Sequence, residues 1–306
     1  MEKVSYLGLP NCYRLSNGAV DVVVATDIGP RVLHYGLRGG DNVFGEVPGA
    51  VVTTSLGDWK PWGGHRVWAA PEVNPRSYAP DNDPVDFDFD GDASAKLVGR
   101  TEPQTQLRKE MKITLDPDGT GVTVRHRITN RGLWAVEFSV WALSIMNGEG
   151  GEAIIPQEPY RAWGNYVLPA RPFVLWHYTD LTDARLTLGR RLIRLRPDPA
   201  NEEQQKIGAL DKPGWAAYSR GSTLFVKRFG YEEGASYPDY GCNVECFTAA
   251  SFIELESLAP LRRVEPGAFA EHTERWSLHA DFDAGATEDS LAEAIDAALA
   301  QPASTA

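Results

Sequence analysis

The chain has 306 residues, of which 42% are hydrophobic and 24% charged, with a formal net charge of −12. That length buries an ample apolar core without staples. The acidic balance argues against nucleic acid or an anionic membrane as partner, because phosphates need cations to displace their counterions. Three cysteines provide neither a disulfide framework nor a zinc spacing, so buried free thiols in a reducing cytoplasm are expected. The opening "MEKVSYLGLPNCYRL" lacks a basic region followed by an apolar core, so no signal peptide is expected. No apolar run approaches the roughly 20 residues that span a bilayer.

Taken in chain order, the pattern is overwhelmingly of period two. "AVDVVVATDIG" and "RVLHYGLRGG" are β-branched or aromatic runs with turn residues between them. Next comes "PWGGHRVWAAPE", Pro61 to Glu72. Gly63 and Gly64 permit a tight bend or a close approach of a ligand to backbone. If Val67 points into the core, Arg66 and Trp68 share the opposite face of a strand. An indole beside a guanidinium suits a sugar, whose C–H face stacks while its hydroxyls accept from Arg66. His65 is able to exchange a proton near neutral pH. The plainer reading packs Trp62 and Trp68 into the core and pairs Arg66 with Glu72.

"DFDFDGD", Asp86 to Asp92, matches the opening of a calcium loop, but its twelfth position is Leu97 rather than glutamate. A half-exposed strand ending in a turn fits it better. "MKITLDPDGTGVTVRHRITN" reads as a hairpin, because Asp-Gly tolerates positive φ. "VEFSVWALSIM", "RLTLGRRLIRLRP", "WAAYSRGSTLFVKRF" and "SFIELESL" continue the strands. A short helix is possible at "NEEQQKIGAL".

"YPDYGCNVECFTAASFIELESL" concentrates acids. Glu245 sits within an alternating run, Glu254 and Glu256 share one face of the next, and Asp239 lies just before them. Carboxylates this close need cations if they are buried, and Lys227 or Arg228 is placed to balance one as a cross-strand pair or within a site. Cys242 and Cys246, four apart, are expected on one side of one strand. "ATEDSLAEAIDAALA" is the one convincing helix, with Leu291, Ile295 and Leu299 on one face, Thr287 or Ser290 as its cap, and Glu288 and Asp289 at its positive end. The tail "QPASTA" is expected to fray.

Many strands, almost no helix and no linker imply an all-β fold, a large antiparallel β-sandwich. Residues 1–286 are expected to form its single domain and 287–306 a C-terminal helix and tail. No phosphate loop, nucleophile elbow or HExxH occurs, and neither a cofactor nor a metal is expected.

"VVATDIGPRVLHYGLRGGDNVF", "GGHRVWAAPE", "GCNVECFT" and "FIELESLAPLRRVEPGAFAEHTERWSL" resemble the galactose mutarotase-like (aldose 1-epimerase-like) superfamily, and within it a bacterial branch. The resemblance covers about residues 15–280 and implies a β-supersandwich. In aldose mutarotases a late glutamate takes the anomeric hydroxyl proton and a middle histidine protonates the ring oxygen, while an early arginine and a second histidine hold the sugar. Glu245 falls where the glutamate strand is expected, and His65 and Arg66 fall near the early sugar-binding segment. The strand that carries the middle histidine reads "WALSIMNGEGG" here, without one.

The resemblance thus implies Glu245 as base and His65 as acid, with His34 and His177 as substitutes for the acid. Arg66, Trp68, Glu72, Lys227, Asp239 and Glu254 are the expected sugar contacts. The expected partner is a small-molecule sugar. Three functions compete: an aldose 1-epimerase-like enzyme that interconverts anomers, a non-catalytic carbohydrate-binding protein, and a metal-dependent hydrolase or lyase of the same architecture.

Overall fold

Alternation of apolar and polar residues becomes two antiparallel sheets that stack their apolar faces. The structure, a computed structural model, describes residues 1–164 and 166–301. The expectation of a frayed tail falls largely on residues 302–306, outside the described residues. An 11-stranded sheet carries, in its middle, the strands Arg31–Leu37, His65–Ala70, Val136–Met146, Phe252–Leu258, Val244–Ala249 and Gln205–Ala209, in that spatial order. A 10-stranded sheet has Leu107–Leu115, Val122–Asn130, Phe269–His279, Thr223–Phe229 and Trp215–Arg220 at its centre. One continuous apolar core between the sheets includes Val67, Val140, Ile207, Cys246 and Leu255 from the first and Val124, Phe225 and Trp276 from the second. Each such side chain contributes about 1.5–3 kcal/mol by leaving water.

The glycines of "PWGGHRV" serve backbone packing. Gly63 and Gly64 have φ of 104° and 70°. A Cβ on Gly63 would lie 2.1 Å from the Gly45 carbonyl oxygen, and one on Gly64 2.0 Å from that of Val32. The close approach is between chain segments, and it brings the His65–Ala70 strand in against its neighbours.

Two sequence expectations are corrected. Residues Gln205–Ala209 form a strand between Phe173–Leu175 and Val244–Ala249, not a helix. Ile207 and Ala209 join the core, which rewards a period of two over a period of 3.6. Cys242 precedes the strand and donates toward Glu245, whereas Cys246 points into the core, so the two do not share a side. Asp86–Asp90 is a strand paired with Ser94–Thr101.

The helix Glu288–Ala300 forms as expected, with Thr287 and Ser290 capping each other. It seats Leu291, Ile295 and Ala298 on Ile154, Leu192 and Trp215 at the back of the 10-stranded sheet. Among the described residues, no helix is long and apolar enough to cross a membrane.

Candidate functional site

Strand parity selects the outer face of the 11-stranded sheet. In His65–Ala70, Val67 and Ala69 face the core, so Arg66 and Trp68 face outward. Register then extends that face: Arg66 pairs with Leu143, Leu143 with Glu256, and Glu256 with Glu245. Trp68 lies opposite Trp141, Glu245 opposite Gly208, and Phe247 opposite both Glu254 and Lys206. Arg66, Trp68, Trp141, Glu254, Glu256, Glu245 and Lys206 therefore lie on one surface of five adjacent strands.

Two cations organise the carboxylates. Lys206 Nζ lies 2.6 Å from Glu245 and 3.2 Å from Glu256, beneath the rings of Trp141 and Trp176 at 5.0 Å and 4.7 Å. Arg66 stacks on Trp68 at 4.5 Å and Trp59 at 5.1 Å and approaches Glu254 at 2.7 Å, out of line for a hydrogen bond. Loop residues close over the rings: Tyr78 packs on Trp59 and Trp68 and donates its hydroxyl to Glu72. Asp239, where the backbone enters positive φ, meets Glu245.

The protonation pattern follows from burial. Burial pushes Glu256 up to about 8 despite the attraction of Lys206. Burial, with the charge of Glu245 behind it, raises Asp239 to about 7. Burial alone would lower Lys206, but Glu245 and Glu256 outweigh it and hold the ammonium well above its usual range. Trp141 Nε1 donates to Glu256 Oε2 at 2.8 Å, leaving the buried Oε1 as the carboxyl oxygen without a partner among the described residues.

The polar groups here exceed their own partners. Arg66 Nε and Nη1, Glu254 Oε1, Glu256 Oε1, Trp59 Nε1 and Trp68 Nε1 are buried and find no hydrogen-bond partner among the described residues. Buried polar atoms left unmatched each cost about 1–3 kcal/mol, and a cluster on one face is where a ligand recovers that cost.

His65 and Lys227 stand on the other side, in the space between the sheets, and their expected roles are corrected. His65 is fully buried and faces His126 at 2.7 Å and Ser144 at 2.8 Å. Its parity is opposite to that of Arg66, so it cannot share a ligand with Glu245. Lys227 lies in the 10-stranded sheet, 2.9 Å from Glu274 and 3.0 Å from the Leu255 carbonyl. It balances a carboxylate, but one in the core.

The network around them is closed. His126 Nδ1 donates to the His272 carbonyl, so His126 Nε2 accepts from His65, and His65 Nδ1 accepts from Ser144. Ser257 donates to Glu274 at 2.6 Å and accepts from His272 at 2.7 Å, while Trp276 donates to Glu274 at 2.8 Å. Burial keeps all three imidazoles neutral, with His126 down to about 4 and His272 to about 3.

Of the substitute histidines, His34 is half-buried against Tyr6 and His177 is exposed between Trp176 and Tyr178. The expected Arg66–Glu72 pair is replaced by Arg66–Glu254. Two clusters have the spacing of metal ligands, His65/His126/Glu274 and Asp239/Cys242/Glu245. Each already holds a lysine ammonium against its carboxylate, where a divalent cation would bind. Grooves of about 540 Å³ beside the C-terminal helix and about 670 Å³ around Asn42 and Arg220 share no residue with the outer face.

Sequence reasoning missed Lys206, Trp59, Trp141 and Trp176. Lys206 was hidden in the run read as a helix. The parity of "VEFSVWALSIM" was the available signal for Trp141.

The sequence matches no protein-family model and no curated protein. Solved structures do match. A galactose mutarotase-like protein from Lactobacillus casei superposes with a TM-score of 0.56 at 11% identity, over 88% of this chain and 100% of that one. The fold is the galactose mutarotase-like one. A second protein of that description, from Clostridium acetobutylicum, gives 0.55 at 10% identity, over 91% and 98%. A galactose mutarotase related enzyme from Lactobacillus acidophilus gives 0.53 at 10%, over 89% and 98%. At these identities the likeness defines architecture, and chemistry rests on the residues of the outer face. The Val136–Met146 strand offers Trp141 and Leu143 to this face.

Proposed function

We propose that the outer face around Arg66, Trp68, Glu245, Glu254 and Glu256 binds a sugar and interconverts its anomers, as an aldose 1-epimerase does. The observation that carries this reading is the cluster of buried, unpartnered donors and acceptors beside indole rings. A pyranose supplies hydroxyls for the first and a C–H face for the second.

In this reading Glu245 accepts the proton of the anomeric hydroxyl while protonated Glu256 donates to the ring oxygen. The C1–O5 bond breaks and an open-chain aldehyde forms. Rotation about C1–C2 and reversal of both proton transfers give the other anomer with no net change. Cross-strand placement of the two carboxyls, with Lys206 between them, supports the assignment, as does burial that leaves Glu256 protonated near neutral pH. Arg66, Glu254 and Glu72 hold hydroxyls, and Asp239 supports Glu245.

Polarimetry on freshly dissolved α-galactose and α-glucose tests the proposal. Equilibration faster than buffer is expected, and Glu245→Gln abolishes the acceleration. Rates equal to buffer across a panel of aldoses would exclude catalysis. A second reading, carbohydrate binding without turnover, draws on Trp141 and Leu143 occupying the strand that carries the superfamily's acid. Calorimetric binding lost in Trp68→Ala, without anomer exchange, would select it.

A further inference from the structure

The charge inventory of the outer face narrows its ligand, given the sugar reading above. Carboxylates come from Glu72, Asp239, Glu245, Glu254 and Glu256, and cations only from Arg66 and Lys206 among the groups placed there. Both cations are spoken for. Lys206 bridges Glu245 and Glu256 and lies under two indoles, and Arg66 is stacked on two more beside Glu254. Arg31, close enough to repel Arg66, is itself paired with Asp81 at 2.8 Å. Phosphate or carboxylate recognition needs a cation free to form charged hydrogen bonds, and this face has none to spare.

The unmatched carboxylate oxygen of Glu254 points the other way. Glu254 Oε1 is buried and, although Arg66 Nη1 lies 2.7 Å away, receives no aligned hydrogen bond among the described residues. We infer that the site prefers an amino sugar over the corresponding neutral sugar and rejects sugars that carry phosphate or a uronate carboxylate. An ammonium supplies three donors and one positive charge to a face with a surplus of carboxylates. An anionic substituent meets no unpaired cation in a poorly solvated setting. Even with Asp239 and Glu256 protonated, Glu245 and Glu254 cancel Arg66 and Lys206, and no positive surplus appears.

Calorimetry at neutral pH with five probes tests this in the galacto and gluco series: the free hexose, the 2-amino sugar, its N-acetyl form, the uronate and the 6-phosphate. The amine is expected to bind on the order of tenfold more tightly than the hexose, and acetylation, which removes the charge, abolishes that advantage. The uronate and the 6-phosphate bind at least about tenfold more weakly than the hexose. Glu254→Gln keeps the shape and brings the amine-to-hexose ratio close to one. Glu72→Gln, at an exposed position where folding is not at stake, lowers the same ratio.

An amine no tighter than the hexose overturns the inference, as does an anionic sugar that equals the hexose or a ratio unmoved in both variants. In each of those cases the sugar reading survives. Silence from the whole panel overturns the sugar reading and this inference together.

Discussion

His65 and Arg66 are neighbours in the chain and serve opposite sides of one sheet. His65 points inward to His126 at 2.7 Å, and Arg66 points outward to Glu254 at 2.7 Å. One strand thus divides a group of the inner network from one of the outer face, and substitution separates them.

His65→Ala leaves His126 and Ser144 without their partner and opens a cavity. A loss of about 2–4 kcal/mol is expected in urea titration. If the outer face binds a sugar as proposed, the folded variant keeps its affinity within about twofold of the parent. Arg66→Lys is expected to do the reverse: a modest change in stability, and affinity weaker by at least about tenfold, because an ammonium cannot reproduce the stacked fork.

Lys206→Met removes the cation between the buried carboxyl groups of Glu245 and Glu256. Breaking such a pair costs about 3–5 kcal/mol. The double variant with Glu245→Gln recovers part of that loss, because the carboxylate that Lys206 balanced at 2.6 Å is gone. Denaturant midpoints of the single and double variants check the coupling.

Glu256 gives a pH signature. Its carboxyl is raised from 4.5 to about 8 in the folded chain. Between those values the unfolded chain binds fewer protons than the native one, so this group's contribution to stability falls as pH rises, by up to about 1.4 kcal/mol per pH unit. Glu256→Gln therefore gains on the parent between about pH 5 and about pH 7.5, measured by urea titration at both. If Glu256 is the acid, anomer exchange also declines above about pH 8, as its proton leaves.

Stability across the acid range reflects two opposed sets of groups. His65, His126 and His272, all depressed below 6.5, the last two to about 4 and about 3, contribute stability present above 6.5 and lost as pH falls. Asp211, Asp239 and Glu256, raised to about 8, about 7 and about 8, contribute more as pH falls toward their unfolded values. The expected melting profile is nearly flat from about pH 6.5 to about pH 4.5 and drops below about pH 4, where the raised acids stop contributing and the depressed Glu274 carboxyl adds its loss to what remains of the histidine effect. A melting temperature declining steadily from pH 7 to pH 5 would contradict the protonation of the buried acids.

Thr287→Ala removes one half of the capping box on the C-terminal helix. About 1 kcal/mol of stability is expected to go with it, read as a fall in melting temperature of roughly 2–4 °C.

Strands and the terminal helix were legible because burial imposes a period that local sequence records. Alternation around Val67 was enough to place Arg66 beside Trp68. The same alternation forbids His65 from joining them, but the resemblance to mutarotases drew it toward the site. Lys227 was misplaced for a different reason. Its strand follows the chain closely toward the acidic cluster, yet it pairs with Phe269–His279 in the opposite sheet. Lys206 was invisible because five consecutive buried residues show no amphipathic period, and only their neighbours on both sides identify them as an inner strand. Local pattern reports which way a side chain points, and sheet membership depends on partners tens of residues away.

The closed polar network between the sheets has a practical corollary for anyone hunting active-site residues by random mutagenesis. Glu274, Lys227, Ser257 and His272 lie just behind the strands that display Glu256 and Arg66, and Ser257 is the very next residue after Glu256. Damage there would register as inactivity and mimic a hit on the outer face. A melting curve run beside each assay is what would tell a broken keystone from a missing tool.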